Sequence, residues 1–254
     1  MNRKLFCIPR ANPNATIRLF CFPYAGGSSS IFTSWVNFVA PHIELVFVHL
    51  PGRGIRMMEE PHEFMEDVIA ELLAEHSFIS SKPFAFFGHS LGSRIAYELT
   101  QQLHYHRFPL PEMLFVSASR APHISNHKKL LHNLPYDEFI AALKELNGTP
   151  REVLESEQLM NLLVPLLRAD FKIAETYIAE CRPLPINIHV FNGSEDDIPE
   201  ENVAAWQHLS ENPIARTDFA SGHFFIHHYS SEMVNVINQS LESKKHALYD
   251  TSVM

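Results

Sequence analysis

Between residues 84 and 99 an apolar run, Phe84-Ala85-Phe86-Phe87, breaks at Gly88-His89-Ser90-Leu91-Gly92 and restarts with the period of a helix. A Gly-x-Ser-x-Gly pentapeptide between a strand and a helix leaves the backbone little choice. The serine has to sit on a sharp, strained turn so that its hydroxyl projects above the sheet edge. The outer positions are glycine because a Cβ at either would collide with the neighbouring strand and helix. The turn also sets Ser90 at a helix N-terminus, where unpaired N–H groups and the helix dipole favour negative charge. An oxyanion formed on a carbonyl attacked by Ser90 would lie beside those donors. A plain turn between core elements is the bland alternative, and the flanking strand and helix weigh against it.

Along the rest of the chain, short β-rich apolar runs alternate with helical patterns. That alternation predicts an α/β fold, a mostly parallel central sheet with helices on both faces. Strands are expected at Leu5–Ile8, Ile17–Phe22, Leu45–Leu50, Phe84–Phe87, Met113–Ala118, Ile186–Phe191 and Ala215–Phe219. They are nearly continuous in apolar residues, as strands buried on both faces should be. Helices are expected at Ile31–Ala40, Glu63–Phe78, Leu91–His104, Glu200–Leu209 and Ser231–Leu241, with a polar tail, Ser243 to Met254, that frays. The interval between Ala118 and Ile186 is anomalously long. It holds helical patterns at Tyr136–Leu146, Arg151–Leu167 and Phe171–Ala179, broken at Asn147-Gly148-Thr149-Pro150. Residues 1–254 then form one domain with a helical lid insertion at about residues 119–185, above Ser90. Phe139, Ile140, Leu159, Leu162, Leu163 and Leu166 offer it an apolar acyl pocket. A helical excursion with no role in binding is the plainer alternative.

Composition narrows the function. With 46% hydrophobic and 19% charged residues the chain is globular, and its 254 residues suffice for one sizeable core. A formal net charge of −9 argues against a general binder of nucleic acid or membrane surfaces. Cys7, Cys21 and Cys181 are odd in number and widely spaced, which fits neither a disulfide framework nor a zinc site and suits a reducing compartment. The apolar stretch Leu5–Ile8 stops at Pro9-Arg10, too short for a signal peptide, and no run approaches membrane-spanning length. The cytoplasm is the expected location. Among the 16 histidines, His104/His106 and His227/His228 are close pairs, but no His-Glu-x-x-His helix or cysteine cluster accompanies them, and no metal is expected.

A serine hydroxyl is a weak nucleophile at neutral pH, so a base must take its proton and an acid must orient that base. After an elbow of this kind the chain order is serine, acid, histidine, at the ends of later strands. The acid is expected in Asn192-Gly193-Ser194-Glu195-Asp196-Asp197, at Asp196, three residues past Gly193. Asp197 is the open alternative and Glu195 a weaker one. The base is expected at His223, in the tight loop Ala220-Ser221-Gly222-His223-Phe224-Phe225 after the last strand. His227 and His228, one turn further on, are expected to point away, and His89 is too close in sequence to reach round to Ser90. A second oxyanion donor should come from Pro23-Tyr24-Ala25-Gly26-Gly27-Ser28, where paired glycines let the backbone approach a substrate oxygen. The Ala25 N–H is expected to act with that of Leu91, with the donor open within Tyr24–Gly26. A phosphate cradle is disfavoured, because Gly-x-Gly-x-x-Gly is absent and no P-loop lysine follows.

The segments Phe22-Pro23-Tyr24-Ala25-Gly26-Gly27-Ser28, Trp35, Leu50-Pro51-Gly52-Arg53-Gly54-Ile55-Arg56, the elbow, Gly193-Ser194-Glu195-Asp196 and Gly222-His223-Phe224-Phe225 run in one order through the chain. In that order they resemble the type II (external) thioesterases that serve nonribosomal peptide, polyketide and fatty acid synthases. The elbow alone points only to the α/β-hydrolase superfamily; the Pro-Tyr-Ala-Gly-Gly and Pro-Gly-Arg-Gly-x-x-Arg pieces are far more specific. Where proline often follows the family's aspartate, Asp197 stands here. The resemblance implies an α/β-hydrolase fold and hydrolysis of misprimed or stalled acyl groups from the phosphopantetheine arm of acyl or peptidyl carrier proteins. It implies a monomer with no cofactor of its own, and acyl-CoA as a second candidate substrate. Arg53 and Arg56 invite a phosphate-binding role, but a loop held by ion pairs to Glu59 or Glu60 explains them equally well. Two rival readings stay open. An intracellular carboxylesterase would use the same triad on oxygen esters, and a non-catalytic hydrolase-like interaction protein would be expected to have lost a triad member.

Overall fold

A computed structural model describes residues 1–125, 130–146, 148–149 and 151–250. All seven expected strands form: β1 (Phe6–Cys7), β2 (Ile17–Phe22), β3 (Ile43–Val48), β4 (Phe84–His89), β5 (Met113–Ser117), β6 (Asn187–Gly193) and β7 (Ala215–Phe219). They make one sheet in the order β1-β3-β2-β4-β5-β6-β7. β1 pairs antiparallel with β3, and every other pairing is parallel. β3, β4 and β5 are buried at every residue, which is why they read as unbroken apolar runs. β3 starts earlier than expected because the charge of Glu44 is neutralised across the sheet. Arg18 sits opposite it in register on β2, with its Nε 2.9 Å from a Glu44 carboxylate oxygen. The exposed edge at β7 carries Arg216, paired with Glu200 and Asp218, and charges of this kind deter edge-to-edge association.

Strand alternation divides the core in two. On β4, Phe84 and Phe86 join a cluster with Leu72, Ile95, Leu99 and Trp206, while Ala85 and Phe87 join Trp35, Met233 and Ile237 on the other face. The first face is covered by α1 (Met65–Leu73) and α3 (Leu91–Tyr105), the second by a 3₁₀ segment at Ser29–Asn37 and by α8 (Ser230–Asp250). The expected helix at Ile31–Ala40 is therefore 3₁₀ in geometry, entered through Ser28, whose side chain accepts from the Ser30 N–H. The expected Glu63–Phe78 helix divides into α1 and the short α2 (His76–Ile79). Glu200–Leu209 begins as α7 (Glu200–Ala204) and finishes as a 3₁₀ turn.

Between β5 and β6 lie α4 (Tyr136–Leu146), α5 (Arg151–Leu154) and α6 (Glu157–Thr176). The two later helical patterns divide differently from expectation. Ser156 caps α6, accepting from the Leu159 N–H, and α6 then runs unbroken through Pro165 and Asp170. This insertion has a small core of its own, from Leu134, Phe139, Leu143, Met160, Val164 and Leu167. Phe139, expected in an acyl pocket, is fully buried there under the Arg168 guanidinium. Leu159 and Leu162 face solvent instead. Asn147 and Pro150 of the expected break, and residues 251–254 of the tail, lie outside the described residues.

Candidate active site

The β4–α3 junction is as tight as the pentapeptide requires. Ser90 has φ 54° and ψ −114°, a conformation that costs a non-glycine residue of order 1–3 kcal/mol and persists only when the surroundings enforce it. A Cβ on Gly88 would lie 2.2 Å from the Gly92 carbonyl carbon, and one on Gly92 would lie 2.1 Å from the Phe22 carbonyl oxygen. The Ser90 N–H donates to the Ser117 carbonyl at 2.8 Å, anchoring the turn to β5.

The acid and histidine loops are laced together at the ends of β6 and β7. Ser194 N–H donates to the Phe219 carbonyl and Glu195 N–H to that of Ser221, at 2.9 and 3.1 Å. Gly193 permits this approach, since a Cβ there would lie 2.5 Å from the Ser221 carbonyl oxygen. The result brings His223 Nδ1 within 2.7 Å of Asp196 Oδ2. A carboxylate only accepts, so Nδ1 carries the hydrogen and Nε2 keeps a lone pair in the neutral ring. The Asp196 carboxylate is buried while the His223 ring remains partly open. Asp197 and Glu195 both face solvent.

His89 connects this pair to the elbow. Its Nε2 lies 3.0 Å from the His223 carbonyl oxygen and its Nδ1 2.9 Å from Ser117 Oγ. The carbonyl must accept, so Nε2 is the protonated nitrogen and Nδ1 accepts from the serine hydroxyl. Full burial, with His223 nearby, pushes the imidazole well below its ordinary range and keeps it neutral. The two rings stand 5.6 Å apart, edge to face. His89 thus holds the main chain of His223, a role that its sequence position beside Ser90 does not reveal.

Neither the Ala25 N–H, in the Tyr24–Gly27 loop, nor the Leu91 N–H, at the start of α3, has a hydrogen-bond partner among the described residues. Gly26 N–H is occupied: it donates to Asp170 Oδ2 at 2.7 Å. Asp170 belongs to α6 and also takes two hydrogen bonds from Arg53, each 2.7 Å long. Arg56 pairs with Glu59 and Glu71, so the expectation of a glutamate-held loop describes Arg56, whereas Arg53 reaches across to the insertion. One sequence signal marks Asp170. It falls in helical register with Met160, Val164 and Leu167, an apolar stripe where a carboxylate demands a partner. His227 also departs from expectation. Its Nε2 meets the Tyr24 hydroxyl at 2.9 Å, because the 3₁₀ turn at Phe225–His227 swings it back toward the loop; both His227 and His228 are solvent-exposed.

The insertion lies against both sides of the site. A Cβ on Gly26 would lie 2.4 Å from a Leu167 methyl, and one on Gly148 would lie 2.4 Å from the Phe224 ring, next to His223. Two cavities open elsewhere, one of about 420 Å³ beside Glu98 and Tyr177 and one of about 630 Å³ beside Tyr105 and Arg182; Ser90, Asp196 and His223 line neither. Among the described residues no group of three or more His, Cys, Asp or Glu side chains is disposed to hold a metal ion.

A family model described as Thioesterase domain matches residues 17–241. Gramicidin S biosynthesis protein GrsT of Aneurinibacillus migulanus is 34% identical over 240 residues, covering 94% of each chain. Among solved structures, ClbQ from the colibactin NRPS/PKS pathway superposes with a TM-score of 0.85 at 30% identity, covering 92% of this chain and all 100% of its own. The type II thioesterase BorB from the borrelidin biosynthetic cluster gives 0.81 at 29% identity, over 92% of this chain and 96% of its own. With the seven-stranded sheet, these matches identify the fold as that of the α/β-hydrolases.

Proposed function

We propose that this chain, which belongs to the thioesterase family and hydrolyses thioesters, takes as its substrates acyl groups on the phosphopantetheine arms of carrier proteins. It would clear misprimed or stalled units from a synthase making peptides, polyketides or fatty acids. Similarity to GrsT, ClbQ and BorB, each tied by name to a biosynthetic pathway or cluster, supports that substrate class. The scheme needs no cofactor, because phosphopantetheine arrives with the substrate. No helix among the described residues is long and apolar enough to cross a membrane, in keeping with a protein that meets its carrier in the cytoplasm.

In this reading Ser90 Oγ attacks the thioester carbonyl while His223 Nε2 takes its proton. Asp196 holds the ring in the required tautomer and balances the imidazolium. Ala25 and Leu91 N–H groups receive the oxyanion. The tetrahedral adduct collapses, the C–S bond breaks, and His223 returns the proton to the departing sulfur. Water, deprotonated by His223, then attacks the acyl-serine and releases the carboxylic acid and free Ser90. The observation that carries this mechanism is the 2.7 Å contact between His223 Nδ1 and Asp196, tied to the elbow through His89. The insertion over Gly26 and Phe224 would supply the acyl chamber. With a net charge of −9, docking of an acidic carrier cannot rest on overall attraction and needs a local surface.

The test is a panel of carrier proteins loaded with acyl groups from acetyl to long-chain, beside matched acyl-CoA and oxygen esters, read as kcat/KM. The carrier-bound thioester should be turned over best. A preference for oxygen esters would favour a carboxylesterase instead.

A further inference from the structure

Asp170 and Arg53 form the most buried ion pair in the vicinity of the site, and the reaction scheme leaves both without a task. Their side chains are 2% and 5% exposed, too dry for the pair to be a casual surface contact. Asp170 Oδ2 accepts from both Arg53 Nη1 and Gly26 N–H, and Oδ1 accepts from Arg53 Nη2. Arg53 also donates to the carbonyls of Pro51 and Gly27, both at 3.3 Å. The guanidinium thus ties three pieces together: its own loop after β3, the loop after β2, and helix α6. Gly52 and Gly54, which bracket Arg53, have φ of 79° and 52°, left-handed values that aim the side chain inward. Gly26 is left-handed as well, at φ 73°, and faces Leu167 directly.

From this geometry we infer that Asp170 is a positioning residue for the oxyanion hole, and that its clamp with Arg53 couples the seating of α6 to the aim of the Ala25 N–H. The inference rests on the serine mechanism above, with Ala25 as a donor. Gly26 N–H is the peptide hydrogen next along the chain from Ala25. Fixing it on a buried carboxylate fixes the Ala25–Gly26 peptide plane. The Ala25 N–H lies in the plane before that, whose Tyr24 carbonyl accepts from the Gly27 N–H at 2.9 Å, so the tight turn passes the constraint on to it. A loop of two glycines would otherwise sample many directions. If α6 lifts away, Asp170 leaves with it, Gly26 is released, and the hole loses its alignment. The insertion then gates chemistry as well as access.

Such a residue affects the transition state and spares ground-state binding. Asp170→Asn should lower kcat on the order of 10- to 100-fold with KM within about twofold, since misaiming a donor costs part of the 10²–10³ lost on removing one. Affinity for a trifluoromethyl ketone analogue of acyl-pantetheine, which forms a tetrahedral adduct on serine, should fall by the same factor as kcat/KM. Single substitutions strand a buried charge and can unfold the chain, so the decisive variant is the double replacement Arg53→Met with Asp170→Leu. It should recover a wild-type Tm without recovering kcat or the analogue's affinity. Recovery of kcat along with Tm would reduce the clamp to a structural prop and overturn the inference, as would a loss confined to KM. Ser90→Ala measured alongside separates the two claims. An active Ser90→Ala removes the serine mechanism itself, whereas an inactive one beside a fully active Asp170→Asn removes only the clamp.

Discussion

Asp196 and Asp197 are adjacent carboxylates, yet their expected contributions differ by orders of magnitude. Asp196 lies 2.7 Å from His223 Nδ1 with its carboxylate buried, while Asp197 is exposed. Asp196→Asn keeps the volume and can meet the ring in two ways. With the amide nitrogen toward His223, Nδ1 must accept, the hydrogen moves to Nε2, and the ring can no longer take the Ser90 proton. Losing the tautomer in this way costs on the order of 10⁴ in kcat, or about 5.5 kcal/mol of barrier. With the amide oxygen toward His223 the tautomer survives, but the imidazolium loses its counter-charge and a smaller loss remains. The expected fall in kcat is therefore on the order of 10²–10⁴, with stability changed by only about 1 kcal/mol. Asp197→Asn should stay within about twofold of wild type, because a solvated carboxylate beyond the ring contributes only a screened charge. The assay is kcat on an acyl-pantetheine thioester with the active fraction titrated by a serine-directed fluorophosphonate. An Asp196→Asn enzyme within tenfold of wild type, or a more damaging Asp197→Asn, would refute the assignment.

Ser90→Ala should abolish turnover by on the order of 10³-fold or more while remaining folded. Ser90→Gly should be equally inactive but more stable than Ser90→Ala by about 1 kcal/mol, since only glycine is at ease at φ 54°; equal urea midpoints would contradict the strain. His189 on β6, stacked on Phe191 and 2.9 Å from Thr217 Oγ1, is pushed down to about 4 from the ordinary 6.5 by burial. Its neutral form is the one the fold accepts, so its contribution is complete above pH 6.5 and drains away as pH falls toward 4. Urea unfolding at pH 7 and 4.5 should find wild type losing about 2 kcal/mol more than His189→Phe does, and parallel losses would exclude the buried neutral imidazole.

Local sterics made much of this protein readable from its residues. Gly88 follows from atoms a few positions apart, since a Cβ there would strike the Gly92 carbonyl, whereas Gly92 is required by the Phe22 carbonyl of the neighbouring strand β2; the pentapeptide pattern made both legible. The sheet is legible for a related reason. Strands covered on both faces cannot alternate, and runs such as Phe84-Ala85-Phe86-Phe87 have few other places to go. Even the order of serine, acid and histidine reflects where strand ends must meet. The finer geometry of the candidate site is set by tertiary structure alone. The spacing from Gly193 favours Asp196 but leaves Asp197 open; the lacing of Ser194 and Glu195 onto the histidine loop turns one carboxylate under His223 and leaves the other in water. Among Tyr24, Ala25 and Gly26, the donor choice narrows only because a carboxylate from α6, 144 positions away, has already taken the Gly26 N–H. Arg53 likewise shows a charge in the sequence but not its partner, which lies 117 positions on, because burial pairs whatever charges the fold brings together, and proximity in the chain has no part in it.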